Sequence, residues 1–273
     1  MYEIVILGSS GFVGNNLVNS LKKKYTLSLF DINSSVKLSC NNVKFKKKNI
    51  LKLEESDFPK KNFIVINVGA ILGSKNYEDN YINNVLTVKK LLKILKKKKK
   101  FKGLIHFSSI SAQRRISHYG NTKYLSEKIV RNSKLPHIIL QSEMIIGKGA
   151  RSIEKLKKVS KLFPLFLPLP KGGNVIRYPI KINKVNEIVK DIIKNKKFDN
   201  TTYSLVSKKV LFVIFLKKII KNKIFITIPA TLLLFVAKFL EKFFNNPIFT
   251  YDNAFGVVSD TELKYPKYII KKR

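Results

Sequence analysis

With one cysteine, three histidines and only 17 acidic residues among 273, the sequence excludes several chemistries before any motif is considered. The lone Cys40 forms no internal disulfide and no cysteine-cluster metal site, and it fits a reducing compartment. His106, His118 and His137 are too scattered for metal-ligand spacing, so no metal is expected. His106 and His137 lie in apolar runs and read as core, whereas His118 reads as a loop residue. The longest uncharged apolar stretch, Ile224 to Ala237, contains Pro229. It falls short of the ~20 residues that a spanning helix needs, and is expected to be a buried or surface-lying helix. No basic leader or cleavage site precedes the apolar run beginning at Glu3, so a soluble, cytoplasmic protein is expected.

Scarcity of acid leaves 54 basic residues and a formal charge of +37. The lysines spread through every segment, as in Lys22–Lys24, Lys46–Lys48 and Lys96–Lys100, with no aromatic-interleaved basic patch among them. That pattern describes a lysine-biased surface better than a nucleic-acid site, so nucleic-acid binding ranks last. The charge still favours anionic ligands and leaves peripheral contact with acidic lipid headgroups open. A composition of 45% hydrophobic and 11% aromatic residues is that of a globular chain.

Short apolar runs alternate with helical patterns, which predicts a parallel sheet with crossover helices. Strands are expected at Glu3–Leu7, Thr26–Asp31, Phe63–Val68, Leu104–Phe107 and His137–Gln141, with a short one at Val43–Phe45. Unbroken apolar strands imply helices on both faces of the sheet. Those helices are expected at Val13–Lys24, Tyr81–Lys97 and Thr122–Ser133. Beyond residue 150, Pro164, Pro168, Pro170, Gly172 and Gly173 break the alternation. A helix at Val185–Lys194, a strand near Thr202–Val206, and helices near Leu211–Ile220 and Ala230–Phe244 follow. The expected division is a nucleotide-binding domain over 1–160 and a smaller, mostly helical substrate region over 161–273, part of which returns to the main sheet.

The first motif runs Ile4-Val5-Ile6-Leu7-Gly8-Ser9-Ser10-Gly11-Phe12-Val13-Gly14. Glycines 8, 11 and 14 form a turn between an apolar strand and an amphipathic helix. There a side chain would block a pyrophosphate or hold the helix off the sheet. Main-chain amides and the helix dipole around Ser10, Phe12 and Val13 then face phosphates. Asp31, 17 residues past Gly14, stands at the end of the second strand, where a carboxylate grips ribose hydroxyls. It would repel a 2′-phosphate, so NAD is favoured over NADP. The fold class expected from this is α/β, a Rossmann-like doubly wound parallel sheet.

The second motif is Tyr119-Gly120-Asn121-Thr122-Lys123. On a helix the tyrosine and lysine share a face. An ammonium and a positive nicotinamide ring beside a phenol lower its pKa toward the neutral range. Upstream, His106-Phe107-Ser108-Ser109-Ile110-Ser111 carries a strand into a serine-rich loop. Ser109 is the expected hydroxyl partner of Tyr119, with Ser111 as second choice. Glu127 extends the helix face and is expected to pair with Lys123. Arg177 and the Lys171-Gly172-Gly173 loop offer charge for a substrate diphosphate.

These residues resemble the short-chain dehydrogenase/reductase superfamily, in particular its NAD-dependent epimerase/dehydratase branch. Asn67-Val68-Gly69-Ala70, Asn84-Val85 and Ile145-Ile146-Gly147-Lys148-Gly149 extend the likeness over most of the chain. The resemblance implies that Ser109, Tyr119 and Lys123 are catalytic, that Val68, Gly69 and Ala70 line the cofactor, and that Asn49 and Ile50 lie near the adenine. It also implies that Glu143 to Ile145 lie near the nicotinamide, that the substrate is a nucleotide-linked sugar, and that a homodimer forms through the helices at Tyr81–Lys97 and Thr122–Ser133. Gln141-Ser142 stands where arginine-proline is common, and Asn183 and Asn49 stand where acids are common. The tail around Phe249-Thr250-Tyr251-Asp252-Asn253 is similar to atypical members that hold a dinucleotide without demonstrated turnover. The alternative reading is therefore a dinucleotide-binding structural or sensor protein.

Overall fold

A computed structural model describes residues 2–33, 40–70, 76–244 and 250–270. Phe249, singled out in the tail, lies outside them. In chain order the first half comprises β1 (Glu3–Leu7), α1 (Phe12–Leu21), β2 (Thr26–Asp31), β3 (Val43–Lys47) and β4 (Phe63–Asn67). It continues with α2 (Tyr77–Tyr81), a π-helical turn (Ile82–Leu86), α3 (Thr87–Leu95), β5 (Phe101–Ser109), α4 (Ser111–Arg114), α5 (His118–Asn132) and β6 (His137–Ser142).

Then come β7 (Ile145–Ile146), α6 (Arg151–Lys161), β8 (Phe166–Pro170), β9 (Ile176–Arg177), β10 (Ile180–Lys181), α7 (Ile182–Asn195) and β11 (Thr201–Leu205). The chain ends with β12 (Val210–Leu211), α8 (Phe212–Ile219), β13 (Ile224–Ile228), α9 (Ala230–Phe243) and α10 (Tyr251–Val258).

Seven strands form one parallel sheet in the order β11-β6-β5-β4-β1-β2-β3. The order reverses at β1, whose neighbours are β2 and β4. Brought side by side there, the carboxyl ends of β1 and β4 open the crevice in which doubly wound sheets hold ligands.

Period-two alternation explains why the central strands are apolar throughout. Ile4 and Ile6 of β1 face one core, with Leu17, Val18 and Leu21 of α1 and Val185, Ile188 and Ile192 of α7. Val5 and Leu7 face the other, with Val88, Leu91, Leu92 and Leu95 of α3 and Val130 of α5. Every β1 residue is therefore buried. Both α7 and β11, past residue 161, belong to this main sheet. Tyr268 closes its edge, donating its hydroxyl to Asp191 at 2.7 Å while the main chain at Pro266 receives Ser204 N at 2.8 Å. A third core, from Leu167, Leu169, Val175, Phe212, Phe215 and Leu216, holds the smaller region together.

Two expected elements need correction. The helix expected at Tyr81–Lys97 begins at Tyr77 and contains a π-helical turn at its centre. There the Asn84 amide donates to Thr122 Oγ1 of α5 at 3.1 Å. The stretch from Ile224 to Ala237 is not one helix. Its first five residues pair with β8 as a parallel strand, and Pro229 separates them from α9. β-branched side chains favour the strand, and proline at the helix N-cap starts the helix afresh. No helix among the described residues is long and apolar enough to cross a membrane.

Candidate active site

The glycine turn works by close main-chain approach. Gly8 has a φ of +84°, and a Cβ there would lie 2.6 Å from the nitrogen of Gly69 at the end of β4. On Gly14 it would lie 2.1 Å from the Gly8 carbonyl oxygen, so this glycine seats α1 against the strand. Gly11 differs: a Cβ would meet only the Gly8 oxygen, at 3.5 Å. Protein packing alone does not demand glycine there. The space over Gly11 is a cradle that a side chain would fill, at a helix N-terminus with no side-chain cap.

Asp31 stands against that turn. Its carboxylate accepts Ser10 N at 2.9 Å and Asn33 N at 3.0 Å, which fixes its orientation at the end of β2. On the other side of the crevice Val68 N donates to the Leu7 carbonyl, and Gly69 N donates to Asn67 Oδ1 at 3.2 Å. The Ile50 side chain reaches to within 3.2 Å of a Cβ built on Gly69. Asn49 caps the turn beginning at Ile50 by accepting Leu51 N. The Phe12 ring lies under Gly147 and Gly149, joining the turn to the loop after β7. Exposed Ala70 follows Gly69.

The second cluster lies at the end of β5. Ser117 caps α5 by accepting Gly120 N at 3.0 Å, and Gly120 lets the helix pass the Ser111 carbonyl. This places Tyr119 beside the Ser109 hydroxyl, which acts to lower its pKa. Ser109 Oγ also accepts Ser111 N at 3.2 Å. One turn along α5, buried Lys123 donates its ammonium to the Phe107 carbonyl at 2.7 Å. Desolvation pushes the Tyr119 phenol up to about 12, against the Ser109 hydroxyl, with the Asp252 carboxylate raising it further. Desolvation also lowers the Lys123 ammonium to about 8, against the favourable field of Glu127. So placed, the phenol is a poor base, and only an added positive charge nearby would lower its pKa.

Glu127 is not principally the partner of Lys123. Its buried carboxylate accepts Ser108 Oγ, Gln141 Nε2 at 2.7 Å and Arg131 Nη1 at 3.1 Å. Gln113 Nε2 in turn donates to Gln141 Oε1 at 2.6 Å. Gln141 therefore belongs to a polar spine that ties α4, α5, β5 and β6 together beneath the site. His106 is a core residue with its ring nitrogens against Asn67 and Ser126, and burial holds its pKa well down. His137 is likewise buried. His118 is the first residue of α5, edge-on to Tyr77.

Glu143 and Arg177 are engaged in holding the smaller region. Glu143 accepts Tyr178 N and Thr261 Oγ1, with Arg177 Nε at 3.6 Å. Arg177 Nη1 donates to the carbonyls of Ile176 and Ser259 and to Thr261, while its buried Nη2 lacks a partner. Burial lowers this guanidinium to about 10. Asp252 escaped sequence reasoning. From α10 its carboxylate comes up against Ser117, Ser111 and Tyr119 with its buried Oδ1 unpartnered, and burial raises its pKa. Its helix start was readable in the capping box of Thr250 and Asn253, but its meeting with α5 was not. A groove of about 710 Å³ lined by Lys23, Lys24, Lys184 and Lys190 lies toward the opposite, amino end of the strands and holds none of these groups.

No family model matches this sequence, and no curated protein is similar to it at the sequence level. Solved structures are similar in fold. UDP-glucuronic acid 4-epimerase from Bacillus cereus, in complex with NAD, superposes with a TM-score of 0.70 at 19% identity, over 82% of this chain and 87% of that one. The chain shares its Rossmann-like α/β fold. The same fold relates it to dTDP-glucose 4,6-dehydratase from Bacillus anthracis, in complex with NAD, with a TM-score of 0.67 and 18% identity over 84% and 85% of the two chains. A UDP-Glc/GlcNAc 4-epimerase from Campylobacter jejuni shares it with a TM-score of 0.69 and 15% identity over 84% and 87%.

Two glycine substitutions separate fold from ligand. Gly14→Ala is expected to destabilise the chain by several kcal/mol, roughly the scale of core overpacking or more. Gly11→Ala should leave the melting temperature within about 2 °C and abolish dinucleotide binding; calorimetry with and without NAD checks both. Lys123 carries a stability cost. Its folded pKa of about 8 lies below the ordinary 10.5, so the unfolded state binds more protons between those values and stability rises with pH there. Lys123→Met should stabilise the protein at pH 7 by on the order of 1–3 kcal/mol, a gain that shrinks as pH rises through this window in thermal melts.

Proposed function

We propose that the chain is an NAD-dependent oxidoreductase of the epimerase/dehydratase type acting on a nucleotide-linked sugar. The observation that carries this reading is the convergence of two sets of groups on the carboxyl edge of the sheet. One is the open Gly11 cradle with its oriented Asp31; the other is Tyr119 beside the Ser109 hydroxyl, with Lys123 one helical turn away. The residues fit a dinucleotide. Gly11 with the amides around Ser10, Phe12 and Val13 would hold the pyrophosphate, and Asp31 the adenosine ribose. Val68, Gly69, Ala70, Asn49 and Ile50 would line the cofactor side of the crevice.

NAD, when bound, supplies a reversible hydride acceptor and a positive charge. Lys123 holds its ammonium one turn below Tyr119 and would anchor the nicotinamide ribose, and together with that positive charge it would bring the phenol into working range. Tyr119 Oη then takes the proton from a sugar hydroxyl while Ser109 Oγ hydrogen-bonds the same oxygen, with Ser111 behind it. Return of the proton from Tyr119 completes the cycle.

The smaller region, from the loops after β6 through α10, would cover the sugar. Glu143 acts there by fixing Tyr178 and Arg177, and the unpartnered Arg177 Nη2 would meet substrate phosphate. A second copy of the chain would pair through α3 and α5. A structural or sensor role is the second reading, and the intact Ser109–Tyr119–Lys123 set argues against it.

Tyr119→Phe is expected to lower kcat by roughly 10²–10⁴-fold with NAD affinity retained, followed by cofactor absorbance with UDP- and dTDP-hexoses. Unchanged turnover would eliminate the proposed base. Asp31→Ala should weaken NAD about tenfold or more, the scale of a lost charge-assisted hydrogen bond, and erase the preference over NADP in titration calorimetry.

A further inference from the structure

The smaller region exposes an apolar face that the active site does not use. On α9 only Ala237 is buried. Leu232, Phe235, Val236, Phe239 and Phe243 recur at helical spacing and form one outward stripe, with Phe235 68% and Phe243 62% exposed. Phe239 and Phe243 are in ring contact along it, 4.5 Å between centroids. The preceding ribbon extends the feature. β13 pairs with β8 so that Ile224 stands beside Phe166, and Ile226 beside Pro168. Ile224 and the neighbouring Leu165 are 67% and 69% exposed. A soluble surface seldom carries so many large apolar side chains together.

Charge decides what would cover it. Between residues 200 and 240 there are seven lysines and no aspartate or glutamate. Lys217, Lys218 and Lys221 are exposed at the end of α8, just before β13, and Lys238 and Lys242 flank the α9 stripe. Glu241 is turned inward, accepting Tyr251 N at 3.0 Å. A second copy of this chain would set lysine against lysine across the contact, within a molecule of net charge +37. An aromatic and aliphatic stripe with lysines at its border matches a bilayer interface rich in anionic headgroups, where the rings enter the acyl boundary and the ammonium groups remain among phosphates.

We propose that α9, with the β8–β13 ribbon, docks the protein on an anionic membrane surface without crossing it. Vesicle flotation of the full chain tests this, using phosphatidylcholine vesicles with and without 30% phosphatidylglycerol, an arbitrary but sufficient negative density (about one lipid in three). The expected result is binding to the anionic vesicles at least about tenfold tighter than to neutral ones, weakened by added salt.

Phe235→Ser with Phe239→Ser is expected to reduce that binding by about tenfold or more. The second variant, Lys217→Gln with Lys218→Gln and Lys221→Gln, should weaken it while leaving the apolar face intact. Thermal melts and circular dichroism establish that both variants remain folded. Absence of binding to anionic vesicles overturns the proposal, as does full binding by either folded variant. Concentration-dependent self-association abolished by the phenylalanine variant, with no vesicle binding, would assign the face to a second copy instead and equally overturn it.

Discussion

Main-chain contact between Gly8 and Gly69, where the strand order of the sheet reverses, is the constraint on which the rest of the site depends. A side chain on Gly8 would strike the main chain of Gly69, and Gly14 draws α1 onto the same point. Strands that approach this closely leave their following loops diverging, which creates the crevice. Asp31 reaches the crevice from β2 and Ser109 from β5, on either side of the pair formed by β1 and β4. A change that separated β1 from β4 would dissolve both halves of the site together.

The Tyr119–Lys123 side of the site is organised at a cost. Lys123 is buried with one carbonyl partner, and the Tyr119 phenol one turn away is pushed away from ionisation by the same desolvation. The protein offsets part of this with the carboxylate of Glu127, itself held by Ser108, Gln141 and Arg131. A chain so rich in lysine has little acid to spare. It places the buried Glu127 carboxylate beneath the buried Lys123 ammonium and the half-buried carboxylate of Asp252 beside the tyrosine. Unpaired charge at either place would be expensive in a low-dielectric interior.

Distance from this centre sorts the remaining structure. The region after β6 is pinned to the main sheet by Glu143, Arg177 and Thr261, which hold chain segments together and leave only Arg177 Nη2 without a partner among them. Farther out, α9 and the β8–β13 ribbon carry apolar side chains outward. Hydrophobic patterning in this region therefore serves two surfaces, one turned into the third core and one turned away from the molecule.

The sequence by itself determined the sheet and the composition of its two faces, because apolar runs of strand length and helical repeats follow from period and burial alone. It also determined the glycine turn, Asp31 and the Tyr119–Lys123 pair, since each is a local pattern whose chemistry depends on spacing along one element. Only the tertiary structure decided the partners of Glu127 and Gln141, the approach of Asp252 to Tyr119, and the engagement of Glu143 and Arg177 in packing. Apart from the i,i+4 pair of Glu127 with Arg131 and the bond of Arg177 to the adjacent Ile176 carbonyl, those contacts join residues 14 to 133 positions apart, and no local periodicity encodes them. The division of Ile224–Ala237 into strand and helix was decided in the same way. An apolar run is compatible with either form, and here pairing with β8 selected the strand up to Pro229.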